Sequence, residues 1–79
     1  MAKNYLSNKV KHLRVEHGEM TQQQLAEKVG VTRQTIIAIE ANRYSPSLTL
    51  AFRIARTFGV SIEEVFQYSG DIGEKRHII

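Results

Sequence analysis

Apolar positions in this chain recur every three or four residues for most of its length, with polar residues filling the gaps. Leu6, Val10 and Leu13 fall at that spacing, followed by Leu25, Ala26 and Val29, then by Ile36 and Ile39, then by Leu48, Ala51, Ile54, Ala55 and Phe58. A stripe with this period covers one side of an α-helix. No stretch of any length alternates apolar and polar residues as a half-buried strand would. The pattern predicts helices over 5–17, 21–29, 32–42, 47–58 and 61–68, an all-α fold. The fourth segment is the most apolar and belongs at the centre of the bundle. Leu50 and Phe52 widen its apolar face, which fits a central helix touched on several sides better than a ligand cavity.

The residues that start and stop helices agree with these segments. Thr21 with Gln24 and Ser61 with Glu64 have the spacing of capping boxes, in which the hydroxyl accepts from a backbone N–H and the longer side chain reaches back. An apolar residue ahead of each cap can staple to one inside the helix, as Met20 to Leu25, Val31 to Ile36 and Val60 to Val65. Gly18, Gly30 and Gly59 follow apolar-periodic stretches, where a left-handed terminal residue favours glycine. The single proline, Pro46, is expected to close off the third helix, because the residue before proline avoids the helical region. Residues 1–68 form the expected domain, and "SGDIGEKRHII", residues 69–79, reads as a loosely specified tail whose Ile72, Ile78 and Ile79 either fray or cover a partner.

Only "GVT", residues 30–32, separates the second helix from the third. Two helices joined this tightly, with glycine opening the turn and threonine capping the next helix, form a helix-turn-helix. Leu25, Ala26, Val29, Val31, Ile36 and Ile39 supply its apolar wedge, and a side chain larger than Ala26 would push the helices apart. Counting about 100° per residue from Arg33 puts Ile36 and Ile39 near 300° and 240°, with Thr35 and Glu40 beside them. On the same count Arg33, Gln34, Ile37 and Ala41 fall near 0°, 100°, 40° and 80°. Ile37 therefore points outward, sharing a face with an arginine and an amide at the end of the helix that enters a major groove in such motifs. Arginine can bridge O6 and N7 of guanine, glutamine N6 and N7 of adenine, and an apolar side chain can lie on a thymine methyl. Thr21, Gln22 and Gln23 at the start of the preceding helix can donate to a phosphate, and Asn42, Arg43 and Tyr44 can do so beyond the third helix.

Composition narrows the partner. Seventy-nine residues allow one small core, and a dimer partner would add to its modest stability. Without cysteine there is neither disulfide nor thiolate metal site, and a reducing cytoplasm is the expected setting. No apolar run reaches the roughly 20 residues that cross a bilayer, so no membrane role is expected. The net charge is +3, and residues 1–56 hold nine bases against four acids, a mild pointer to a polyanion. His12, His17 and His77 do not make a metal set, since a spacing of five splits the first two between faces of a helix. Ser7, Ser45, Ser47, Ser61 and Ser69 read as caps or turns, with no glycine-framed nucleophile, so catalysis is not expected. No cofactor and no small-molecule ligand are implied.

The stretch "MTQQQLAEKVGVTRQTIIAIEANRYSPSLTLAFRIARTFGVSIEEVF" resembles the five-helix, lambda-repressor-like DNA-binding domain of the Cro and phage-repressor type, the Xre family of helix-turn-helix regulators. The likeness runs from about residue 8 to residue 68. It implies that Arg33, Gln34, Ile37 and Ala38 face bases, that Gln22 holds a phosphate, and that Asn42 and Arg43 touch backbone. Thr21, Gln23 and Thr35 complete the expected phosphate-contacting set. The resemblance also pairs Arg14 with Glu40 as an ion pair between the first and third helices. It departs at Glu19 and Met20, two residues where many relatives have one between the glycine and the "TQ" pair, so a small shift of the first helix is expected.

Plainer readings exist for the same residues. Arg33 and Gln34 outside a helix-turn-helix would be a solvated helix start, Ile37 could pack on a loop or in a protein interface, and Gln22 could be an ordinary second residue of a capped helix. The expected function is a sequence-specific regulator, a repressor binding double-stranded DNA as a homodimer on a palindromic operator. The competing expectation is an antitoxin or protein-interaction module that autoregulates through the same helices. RNA binding ranks third, since no exposed aromatic set for base stacking is evident.

Overall fold

Backbone hydrogen bonding across the computed structural model gives the order β1 (Leu6–Asn8), α1 (Val10–Glu16), α2 (Gln22–Val29), α3 (Arg33–Glu40), α4 (Leu48–Phe58), α5 (Ile62–Val65) and β2 (Phe66–Tyr68). The structure describes residues 6–68, and the predicted tail lies outside them. Five helices stand in the predicted order, but the all-α expectation needs correction. β1 and β2 pair antiparallel, with Leu6 opposite Tyr68, Ser7 opposite Gln67 and Asn8 opposite Phe66. The N–H of Lys9 continues the pairing to the Val65 carbonyl at 2.8 Å. Three-residue strands are too short to show an alternation, so the first helix was expected five residues too early and the fifth three residues too long.

The caps explain why the helices begin where they do. Thr21 accepts from the Gln24 N–H at 3.0 Å while Gln24 Oε1 accepts from the Thr21 N–H at 2.8 Å. Ser61 and Glu64 repeat the arrangement at 3.2 and 3.1 Å. Thr32 and Ser47 accept from the backbone of Thr35 and Leu50. Each cap satisfies an N–H that the first turn leaves unpaired, a contribution of about 1 kcal/mol.

Pro46 does not end the third helix. The chain leaves α3 through Asn42, which is left-handed at φ 60°. The Asn42 N–H donates to the Ile39 carbonyl at 3.0 Å and the Arg43 N–H to the Ala38 carbonyl at 2.9 Å. That pair of bonds is a Schellman ending, and asparagine tolerates the left-handed residue it needs. Met20, Val31 and Val60, the residues placed ahead of caps, are partly buried against the core.

The core joins all five helices through Val10 and Leu13 of α1, Leu25, Ala26 and Val29 of α2, Ile36 and Ile39 of α3, Leu50, Ile54, Ala55 and Phe58 of α4, and Val65 of α5. α4 contributes the largest share, as its apolar pattern predicts. Leu50 is buried, whereas Phe52 is 49% exposed, so α4 is not covered on every side by the described residues.

Candidate nucleic-acid interface

The corner between α2 and α3 is made by local chemistry. Gly30 ends α2 in the left-handed region at φ 80°, and the N–H groups of Gly30 and Val31 both donate to the Ala26 carbonyl, at 2.9 and 3.0 Å. A Cβ on Gly30 would meet only Arg53 Nη1, at an ordinary 3.5 Å, so it is the backbone angle that requires glycine. Arg53 Nη1 reaches the Val29 carbonyl at 3.4 Å, a weak addition to the same corner. Ala26 is fully buried beneath it.

That corner leaves the first turn of α3 outside the core. Arg33 and Gln34 are exposed, and neither side chain has a hydrogen-bond or ion-pair partner among the described residues. Ile36 and Ile39 are buried at 0% and 1% exposure, as their angles require. Ile37 does not stand clear of the molecule as the helical angles alone imply. It is half-buried, as are Ala38 and Thr35. The Thr35 hydroxyl lies 3.1 Å from that of Thr32, within the cap.

Across the corner, the start of α2 and the start of α3 line one groove of about 360 Å³, which includes Arg14, Thr21, Gln22, Gln23 and Arg33. Thr21 and Gln23 are exposed, and Gln23 Nε2 donates to Glu27 at 3.0 Å. Gln22 is half-buried and its Nε2 donates to Glu40 Oε1 at 3.1 Å. The same carboxylate receives Arg14 through two bonds, Nε to Oε2 at 2.6 Å and Nη2 to Oε1 at 3.0 Å, while Arg14 Nη1 donates to the Met20 carbonyl at 2.8 Å. Both side chains of this pair are about nine-tenths buried. A paired, hydrogen-bonded charge survives burial where a single one would not. An amide nitrogen carries two hydrogens, so Gln22 keeps one donor beyond the bond to Glu40.

The two residues at which the resemblance departs, Glu19 and Met20, lie in the turn beside that pair. Gly18 and Glu19 are both left-handed, at φ 78° and 56°, and the Met20 N–H returns to the Arg14 carbonyl at 2.9 Å. The chain doubles back on Arg14.

On the far side of α3, Asn42 and Arg43 are exposed, and Tyr44 is 48% exposed. Asn42 Oδ1 accepts from Asn8 Nδ2 at 3.0 Å. Two site features escape the sequence reading. The bond from Gln22 to Glu40 joins residues with no common local motif. Asn8 was hidden because the first helix was expected to begin at residue 5; a polar residue two places before Val10 is the signal that could have revealed it. Among the histidines, His12 pairs with Glu16 at 3.0 Å on the surface of α1, and the His17 ring tilts against Phe58 with centroids 5.0 Å apart. His77 lies outside the described residues. Among the described residues no three His, Cys, Asp or Glu side chains cluster as a metal site, and no helix is long and apolar enough to cross a membrane.

Three comparisons bear on this geometry. A family model described as helix-turn-helix matches residues 10–65. In sequence, the chain is 56% identical over 66 residues to an uncharacterized HTH-type transcriptional regulator of Methanocaldococcus jannaschii, covering 84% of this chain and 98% of that one. It is 36% identical over 59 residues to the transcriptional repressor of the cryptic phage CTXphi of Vibrio cholerae, covering 75% of this chain and 52% of the repressor. In structure, it is similar to a crystal structure of a proposed DNA-binding protein from Bacteroides fragilis, with a TM-score of 0.68 over 78% of this chain and 98% of that one; at 24% identity this likeness speaks to the fold alone.

Proposed function

This chain belongs to the helix-turn-helix family of transcriptional regulators, and from that premise we propose that it binds operator DNA sequence-specifically as a homodimer and acts as a repressor. The observation that carries the reading is the exposure of Arg33 and Gln34 at the start of α3, both side chains without a partner among the described residues, with Arg33 lining the groove that opens at the start of α2.

In this reading α3 lies in the major groove. Arg33 donates to O6 and N7 of a guanine, Gln34 pairs with an adenine edge, and the uncovered part of Ile37 meets a thymine methyl with Ala38 close behind. Gln22 gives its second N–H to a phosphate, its first being held by Glu40. Thr21, Gln23 and Thr35 contact the same strand, and Asn42 and Arg43 hold the backbone on the other side of α3. Each good base contact discriminates by roughly 1–3 kcal/mol, so a short half-site gains useful selectivity only when a second protomer reads its mirror copy. Repression follows if the dimer occludes a promoter, and the likeness to a phage repressor supports that sign over activation.

Selection from random duplexes with the purified protein tests the proposal. The expected product is an inverted repeat whose half-sites lie about 10 base pairs apart, centre to centre, or a multiple of that. Recovery of duplexes sharing no sequence, or of single-stranded species in their place, would overturn it.

A further inference from the structure

The side chain of Asn8 joins two helices at once. Its Oδ1 accepts from the Val10 N–H at 3.0 Å, at the start of α1. Its Nδ2 donates to the Ile39 carbonyl at 2.9 Å and to Asn42 Oδ1 at 3.0 Å, both at the end of α3. One amide thereby makes three bonds, and they link residues 31 and 34 positions apart as well as near neighbours. The local bond from the Val10 N–H needs the oxygen alone; the nitrogen is committed to α3.

The atoms it holds are those that define how the chain leaves α3. The Ile39 carbonyl also accepts the Asn42 N–H, one of the two bonds of the Schellman ending. Asn42 is left-handed, a conformation asparagine tolerates, and its side chain and the Ile39 carbonyl are both held by Asn8. The next residue, Arg43, is exposed and has no side-chain partner among the described residues. Its direction is set by the corner behind it. Asn8 is itself fixed in place, since it sits opposite Phe66 in the β1–β2 pair and the following N–H is bonded to Val65.

We infer that Asn8 is a positioning residue for DNA binding: it latches the Asn42–Arg43 corner to the β1–β2 ribbon, so that this corner meets the DNA backbone in a fixed place. The inference rests on the DNA-binding reading above. It predicts that α3 keeps its base preference without Asn8 but loses a backbone contact.

The test is Asn8→Ser in the full chain, with Asn8→Ala and Asn42→Gly beside it. Serine can still accept from the Val10 N–H but is too short to reach α3, and it leaves the charge unchanged. Glycine at 42 keeps the left-handed turn and removes Oδ1. Affinity for the selected operator and for a scrambled duplex is measured across a range of salt. Asn8→Ser is expected to weaken both duplexes by about threefold to tenfold, and to make the slope of log K against log salt shallower by about one, the loss of roughly one phosphate contact. The effects of Asn8→Ser and Asn42→Gly should combine less than additively. In the free protein, the Asn42 and Arg43 amides should exchange with solvent faster in Asn8→Ser, with α1 unchanged. If Asn8→Ser lowers the melting temperature like Asn8→Ala but leaves the salt slope intact, the residue is merely structural and the inference is overturned. Failure of the unmodified protein to bind any duplex is visible before the variants are compared, and overturns the DNA-binding reading itself.

Discussion

Arg33 and Gln22 face one groove but are held differently, and this separates their expected roles. Arg33 is exposed and has no partner among the described residues, so it can adjust to a base edge. Gln22 is bonded to Glu40, which is locked to Arg14, so its remaining donor points where the bundle directs it. Arg33→Ala or Gln34→Ala should therefore relax preference at one base pair per half-site by roughly 1–3 kcal/mol, read from binding to single-substituted operators. Gln22→Ala or Arg43→Ala should weaken all sequences alike and flatten the salt dependence. Uniform loss in both groups would overturn this division. At this scale the identities of the outward residues were legible, because helical angle alone sorts Arg33 and Gln34 from Ile36 and Ile39. The half-burial of Ile37 was not, because it depends on how closely neighbouring elements approach.

Among the elements, the unit that matters is α2, its corner and α3, and Ala26 is where they come closest to depending on one side chain. It is fully buried in the cluster shared by Leu25, Val29, Ile36 and Ile39. Ala26→Leu should cost about 1–3 kcal/mol through overpacking. Because the added volume must move one helix relative to the other, operator binding should fall by more than the loss of folded protein explains, as measured by anisotropy at a temperature where circular dichroism shows the variant folded. Equal losses in both would mean that the interhelical angle is not what α3 needs. The helices, their caps and this corner could be read from local spacing. The two strands could not, since three residues carry no period and each strand exists only because the other, some sixty residues away, supplies its hydrogen bonds.

For the molecule as a whole, the pairing of β1 with β2 brings residues 6 and 68 together. The net charge of +3 adds a general attraction to DNA that salt will screen. A duplex carrying two half-sites should bind two copies of the chain, and one carrying a single half-site should bind far more weakly, which sedimentation with labelled duplex can count. A saturating ratio of one chain per two-site duplex would exclude the dimeric arrangement. Exposed Tyr44, Leu48 and Phe52 sit near the exit of α3 and the start of α4; nothing in the described structure covers them.

Sequence alone determined what rests on neighbours in the chain: the number and order of the helices, the caps at Thr21, Thr32 and Ser61, the three-residue corner, and the outward positions of Arg33 and Gln34. The reason is that capping and helical hydrogen bonds join residues three or four apart, so the information lies within a short window. Tertiary structure alone decided the ribbon of β1 and β2, the bond from Gln22 to Glu40, the latch from Asn8 to Asn42, and the depth at which Ile37 sits. Each of these depends on two distant segments arriving at the same place, and packing, not local preference, sets where they meet.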